Sequence, residues 1–329
     1  MSEGDAGGGG IALAPAKSRA APLCAATLPS MPQEPNTKGP TAPVTELQAR
    51  VGSVVGWRYK LLSMLGEGGM GAVYLAEDLT LNLRVALKLL KSDVATDAEV
   101  LARFDREARA MTVLVHEHIV QALGFGRSPE GDMCLVMELV QGETLRALLK
   151  RTDRIPLHGV ADICRQIGEA LACAHGFGVV HRDLKPENVM VSWLPSGRPW
   201  IKILDFGMAR LLVGTTGAPL TRKGAVFGTP EYMPPEQAMG QQVDPRGDQY
   251  ALGVIAFEML AGQRPFKAKS ALEMVQMQIR TAPPSLLDLA PGLPPAAATV
   301  VQKMLAKRPD ERFTDVTSAV LALGQALGA

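Results

Sequence analysis

Gly66-Glu-Gly-Gly-Met-Gly71 has the spacing G-x-G-x-x-G. Bare backbone of this kind can lie over phosphate groups, and it can equally form an ordinary glycine turn. Ala72-Val-Tyr-Leu-Ala76 follows with β character, so the loop reads as the turn of a hairpin. A dinucleotide-binding fingerprint would run from its last glycine into a helix, which argues against a Rossmann oxidoreductase. Lys88 stands seventeen residues past Gly71, on the strand face opposite Val85, Leu87 and Leu89. A lysine there can snorkel to solvent or meet a buried acid. Glu107 lies among Phe104, Ala108 and Met111 on the apolar side of its segment. An unpaired carboxylate is costly in such a place, and a lysine on a facing strand would neutralise it. Farther along, His181-Arg-Asp-Leu-Lys-Pro-Glu-Asn188 follows the apolar pair Val179-Val180 and reads as a loop at a cleft mouth. Asp205-Phe206-Gly207 comes seventeen residues past Asn188.

These groups need a scaffold, and the elements change character along the chain. Residues 1–56 hold no Phe, Trp or Tyr, with five glycines in the first ten positions and seven prolines before residue 44. Such a segment buries too little apolar surface to offset its ordering entropy, so a disordered tail is expected there. From Trp57 onward the composition is globular. Residues 57–140 show short β-like runs and one helix, with apolar spacing at Val100, Phe104, Ala108, Met111 and Val115. After residue 141 helices dominate, and Val160, Ile163, Cys164, Ile167, Leu171 and Ala174 form one apolar stripe. The expected fold is α+β: a β-rich lobe (57–140) and a helical lobe (141–329) with a ligand cleft between them.

Taken in order, the glycine loop, Val85-Ala-Leu-Lys88, Glu107, His-Arg-Asp183, Asp205-Phe-Gly and Pro-Pro-Glu236 resemble the signature set of Ser/Thr protein kinases of the Hanks type, most like bacterial members. The resemblance covers residues 57–329. It implies transfer of the γ-phosphoryl group of ATP to protein Ser/Thr hydroxyls, with Mg2+ as cofactor and Mn2+ as a substitute. It further implies that Lys88, oriented by Glu107, holds the α- and β-phosphates beneath Gly66, Gly68 and Gly71. Asn188 and Asp205 would ligate the metal, which favours hard oxygen donors. Asp183 would accept the substrate proton, and Lys185 would steady the γ-phosphate. Val73, Ala86 and Met190 would sandwich adenine against a hinge of Met137, Glu138 and Val140, with Met137 as gatekeeper. Asp248 and a Glu236–Arg312 pair would support the helical lobe, and Thr229-Pro230 resembles the Ser/Thr-type substrate platform. Pro234 departs from the usual alanine, and Ser192 to Pro199 lengthen a surface hairpin.

The resemblance also implies regulation. A loop from Met208 to Phe227 offers Thr215, Thr216 and Thr221 for autophosphorylation, with self-association as the route and Arg182 as the docking cation. A pseudokinase is disfavoured because Lys88, Glu107, Asp183, Asn188 and Asp205 are all present. A small-molecule kinase is disfavoured by Thr229-Pro230, Glu236 and Asp248. Basic and acidic side chains, 34 and 33, nearly cancel, so neither nucleic acid nor an anionic membrane is the expected partner. The N-terminus has no apolar core of a secretory signal, and Tyr250 to Gly262 is too short to span a bilayer and reads as a buried helix. Four cysteines without C-x-x-C pairing fit reduced, structural thiols and a cytoplasmic protein. His116 and His118 lack the further ligands a zinc site needs.

Overall fold

The computed structural model describes residues 47–68, 71–90, 112–128, 131, 133–152, 154–206 and 229–328. Packing starts ahead of Trp57. β1 (Val54–Val55) pairs antiparallel with β2 (Tyr59–Gly68), Val55 is buried, and the Tyr74 hydroxyl donates to Leu47 O at 2.7 Å. The buried side chain of Val55 and a carbonyl that caps a buried phenol tie this stretch to the sheet, although it lacks aromatics of its own.

β3 (Gly71–Asp78), β4 (Leu83–Leu90), β5 (Ala122–Arg127) and β6 (Met133–Glu138) complete a six-stranded antiparallel sheet in the order β1-β2-β3-β4-β6-β5. Alternation on β4 sorts its side chains onto the two faces of this sheet. Val85, Leu87 and Leu89 join Leu61, Tyr74 and Val136 in one apolar cluster. Ala86 and Leu90 turn the other way, toward Val120, Leu135 and Met137. Lys88 shares that second face and stands between Val73 and Leu135 in register. At Gly71 the backbones approach so closely that a Cβ would lie 1.9 Å from Leu89 O, and only glycine fits.

The remaining chain is mainly helical: α1 (Leu145–Arg151), α2 (Leu157–Gly176), α3 (Pro245–Ala261), α4 (Ala271–Arg280), α5 (Pro295–Met304) and α6 (Val316–Leu327). The expected stripe of α2 is buried along its length. α3 is buried on every side from Gly247 to Ala261 and runs through the core, its few polar side chains (Asp248, Gln249 and Glu258) being buried with the rest. Asp244 caps its start by accepting from Arg246 N, Pro245 fills its first position, and Gly262 ends it at φ 72°. A small sheet, β7 (Glu143–Thr144), β8 (Val189–Trp193) and β9 (Pro199–Ile203), lies beside these helices. The lengthened turn at residues 194–198 is an exposed hairpin tip with Gly197 at φ 79°. β9 also bridges to the segment just ahead of β5, through Ile119 and Ile203, and Val120 N donates to Ile203 O. Among the described residues no helix is long and apolar enough to cross a membrane.

Candidate active site

A cleft of about 830 Å³ opens between the six-stranded sheet and the helical part. Its roof is the β2–β3 hairpin, where Gly66 and Gly68 have nothing within 4 Å of a hypothetical Cβ, so the roof is bare backbone over open space. Its inner wall is apolar, built by Val73, Ala86 and Met190, with Met137, Glu138 and Val140 along the connection from β6 to the helical part. Glu138 is held from two sides: its Oε1 accepts from Gln121 N at 2.8 Å and from Lys202 Nζ at 2.6 Å. A slot this size, apolar inside and polar at its mouth, suits a nucleotide.

The polar mouth is set by the loop between α2 and β8. Asp248, at the start of α3 and 1% exposed, accepts the backbone N–H groups of His181 (2.8 Å) and Arg182 (2.9 Å) and bonds His175 Nε2 at 2.8 Å. These bonds hold Arg182 at φ 66°, a left-handed conformation that is costly for a residue other than glycine. Burial pushes the Asp248 carboxyl up, but His175 and the loop amides outweigh it and hold the group below the usual carboxylate range. His181 Nε2 donates to Leu204 O at 2.9 Å and its Nδ1 accepts from Asp183 N, which fixes one tautomer. Its ring meets Phe206 edge-on at 4.7 Å, and Phe206 is 1% exposed. The Asp205-Phe206 pair is thereby fastened to the loop that carries Asp183.

Around Asp183 the partners are close. Lys185 Nζ donates to Asp183 Oδ2 at 2.7 Å and to Thr229 Oγ1 at 3.2 Å. Asn188 Nδ2 donates to Asp183 O at 2.9 Å, which leaves its amide oxygen as the atom it can offer a cation. Asp205, at φ 56°, places Oδ2 2.8 Å from Lys88 Nζ. Burial raises the Asp205 pKa, and the charge and hydrogen bond of Lys88 more than reverse that, leaving it below the ordinary value. An anionic carboxylate and an amide oxygen at one end of a glycine-roofed slot are the hard donors a divalent cation takes.

The structure thus brings Lys88, Asp183, Lys185, Asn188 and Asp205 into the one cleft that also holds the expected adenine-side residues and the three glycines. Glu107 lies outside the described residues, as do Gly207, Thr215, Thr216 and Thr221. Lys88 was expected against Glu107; what the described residues show is its bond to Asp205. Leu65, Val120 and Leu204 also line the cleft without having been anticipated, because an apolar side chain in a strand carries no signal of the cavity it faces. Deeper in the helical part, Arg312 grips Glu236 with two bonds of 2.8 Å. His118 is buried, bonded to Ile201 O and beside Glu169, and no metal-holding cluster occurs among the described residues.

Residues 59–323 match the family described as protein kinase domain. The chain is 41% identical over 286 residues to the Ser/Thr-protein kinase PknA of Mycobacterium tuberculosis, covering 84% of this chain and 64% of that one. It is 40% identical over 265 residues to the Ser/Thr-protein kinase pkn3 of Myxococcus xanthus, covering 80% and 48% respectively. It therefore spans about half to two thirds of the length of these relatives. The solved kinase domain of M. tuberculosis PknI superposes with a TM-score of 0.66 at 28% identity, covering 84% of this chain and 98% of that domain.

Proposed function

Because the chain belongs to the protein kinase family, we propose that it is a Ser/Thr protein kinase that transfers the γ-phosphoryl group of ATP to hydroxyls of protein substrates. The observation that carries this reading is the convergence of Lys88, Asp183, Lys185, Asn188 and Asp205 beneath a bare glycine roof. Phosphoryl transfer passes through a loose, highly charged transition state, so the protein's task is positioning and electrostatic stabilisation.

In this reading the adenine lies between Val73, Ala86 and Met190, its edge along Met137–Val140, and Gly66, Gly68 and Gly71 cover the phosphates. Lys88 leaves or shares Asp205 to meet the α- and β-phosphates, with Glu107 as its orienting partner. Asn188 and Asp205 hold Mg2+, for which Mn2+ can substitute; when bound, the cation supplies charge neutralisation at the phosphates. Asp183 accepts the hydrogen bond of the substrate hydroxyl, aims that oxygen for attack and takes its proton. Lys185, already on Asp183 Oδ2, offers positive charge to the phosphoryl oxygens as they move. Thr215, Thr216 or Thr221 accepts phosphate in turn when two copies meet, and Arg182 receives the modified loop. Among the described residues, Cys164 and Cys173 stay as thiols, which fits action in the reducing cytoplasm.

Incubation of the full chain with labelled ATP, Mg2+ and a generic basic protein, beside Asp205→Ala, tests the reading. Label on serine or threonine with wild type alone is expected. A folded wild type that neither binds ATP nor transfers label would overturn it.

A further inference from the structure

Next to the transfer site lies a carboxylate cluster with no part in the reaction above. Glu187 stands between Lys185 and Asn188 and lines the cleft mouth. Glu258 projects from α3 and is 7% exposed. Tyr232 follows Thr229 by three residues and is buried. Arg146, the second residue of α1, enters between all three. Its Nε donates to Glu187 Oε1 at 2.8 Å, its Nη1 donates to Glu258 Oε1 at 2.7 Å, and its Nη2 meets the Tyr232 hydroxyl. That hydroxyl is bonded in turn to Glu258 Oε2. Burial and the neighbouring Glu258 hold the Tyr232 phenol far above its ordinary pKa, so it stays a neutral donor to the carboxylate.

The cluster sits where a protein substrate must pass. A hydroxyl presented to Asp183 lies beside Lys185 and Thr229, which are already bonded to each other. Successive residues of an extended peptide are about 3.3–3.6 Å apart, so those flanking the acceptor lie against Glu187 on one side and the 229–232 segment on the other. Two carboxylates at such a place would attract a lysine or arginine of the substrate. Here the chain's own guanidinium already stands between them. Glu187 Oε2 is buried without a hydrogen-bond partner, so Arg146 is what holds this carboxylate. The same helix repeats the device at its far end, where Arg151 Nη2 meets Glu143, another cleft-lining acid, at 2.6 Å.

We propose that Arg146 is a specificity-determining residue: its guanidinium occupies the position that a basic substrate side chain would take between Glu187 and Glu258, so the enzyme does not select a basic residue beside the phosphoacceptor. This rests on the kinase reading of the cleft. A purely structural clamp would tie the same elements together but would not set the ratio between substrates.

The test uses the full chain and synthetic peptides with one central serine or threonine, each flanking position set in turn to Arg, Ala or Glu, with kcat/KM as readout. For wild type, the Arg/Ala ratio is expected within about threefold of one at every position. Arg146→Gln is expected to gain a preference for Arg of about tenfold or more at one position, weakening with salt. Arg146→Lys should keep the wild-type ratios, and the double change Arg146→Gln with Glu187→Gln should return the ratio toward one. Should Arg146→Gln not fold, Glu187→Gln serves instead: it leaves the guanidinium with one acid fewer and should raise the Glu/Ala ratio several-fold. A wild type that already selects Arg tenfold overturns the proposal, as do folded, active variants with unchanged ratios. A wild type that phosphorylates no peptide and no protein fails earlier, at the kinase reading itself.

Discussion

Lys88 and Asp205 are 117 residues apart in sequence and 2.8 Å apart in space, and each neutralises the other within the cleft. Groups that act on one transition state as a unit lose their effect together. Lys88→Met and Asp205→Asn are each expected to lower kcat/KM by about 10²–10³. The double variant should be little worse than the poorer single one. Steady-state kinetics on the three proteins checks this, and losses that multiply in full would mean that the two side chains work independently.

Glu236 and Arg312 form a second pair, with side chains 4% and 0% exposed. Arg312 also donates to the carbonyls of Arg246 and Ala306, so it cannot swing out when its partner is removed. Glu236→Ala would therefore strand a buried guanidinium, at a cost of roughly 3–5 kcal/mol. The urea midpoint at pH 7 reads the loss directly. A change below about 1 kcal/mol would show that water reaches the site and that the pair is not isolated.

The parts of this site legible in the sequence are those carried by short local runs. The glycine loop, the Val-Ala-Leu-Lys strand and the His181–Asn188 loop each hold several functional groups within a few residues, where side-chain period and turn chemistry fix their relative placement. The buried stripe of α2 and the all-round burial of α3 followed from period and composition in the same way. Partnerships across the fold were not legible. Nothing near Lys88 points to Asp205, and Arg146 at the start of an amphipathic helix looks like one more solvated cation. Its partners lie 41, 86 and 112 positions away, and only the folded placement of α1 beside the His181–Asn188 loop and α3 joins them. The early start of packing at Leu47 and Val55 was hidden for a related reason. A two-residue strand carries too little pattern to stand out from a proline-rich tail.

Gly68 and Gly71 differ in what an added methyl group would meet. A Cβ at Gly68 meets nothing within 4 Å, so Gly68→Ala should leave the melting temperature within about 2 °C of wild type while narrowing the roof. The KM for ATP should rise roughly three- to tenfold, which corresponds to about 1 kcal/mol. Gly71→Ala drives its methyl into the Leu89 carbonyl at 1.9 Å and should cost about 1–3 kcal/mol of stability or more. Thermal melts and ATP titrations of both variants separate the two effects. Equal destabilisation would mean that the roof is packed where the structure leaves it open.

Lys307 gives the fold a dependence on alkaline pH. Its ammonium lies over the Phe266 ring at 4.6 Å and donates to Gln278 O at 2.8 Å and to Tyr250 Oη at 3.0 Å. Burial, together with the charge of Arg312, lowers its pKa from 10.5 to about 8. Below pH 8 both folded and unfolded chains carry the proton, so the cost of burying the charge is paid in full. Between about 8 and 10.5 the unfolded chain keeps a proton that the folded chain has released, and stability therefore rises with pH across that window. Above it the contribution levels off. Relative to Lys307→Met, wild type should gain on the order of 1–3 kcal/mol between pH 8 and 10.5, a figure set below the full shift because the amine is partly solvated. Unfolding in urea at half-unit steps of pH measures the difference, in which the titration of other groups cancels. A difference that stays flat would show that the ring faces and the Gln278 carbonyl hold the ammonium charged, against the desolvation that its burial imposes.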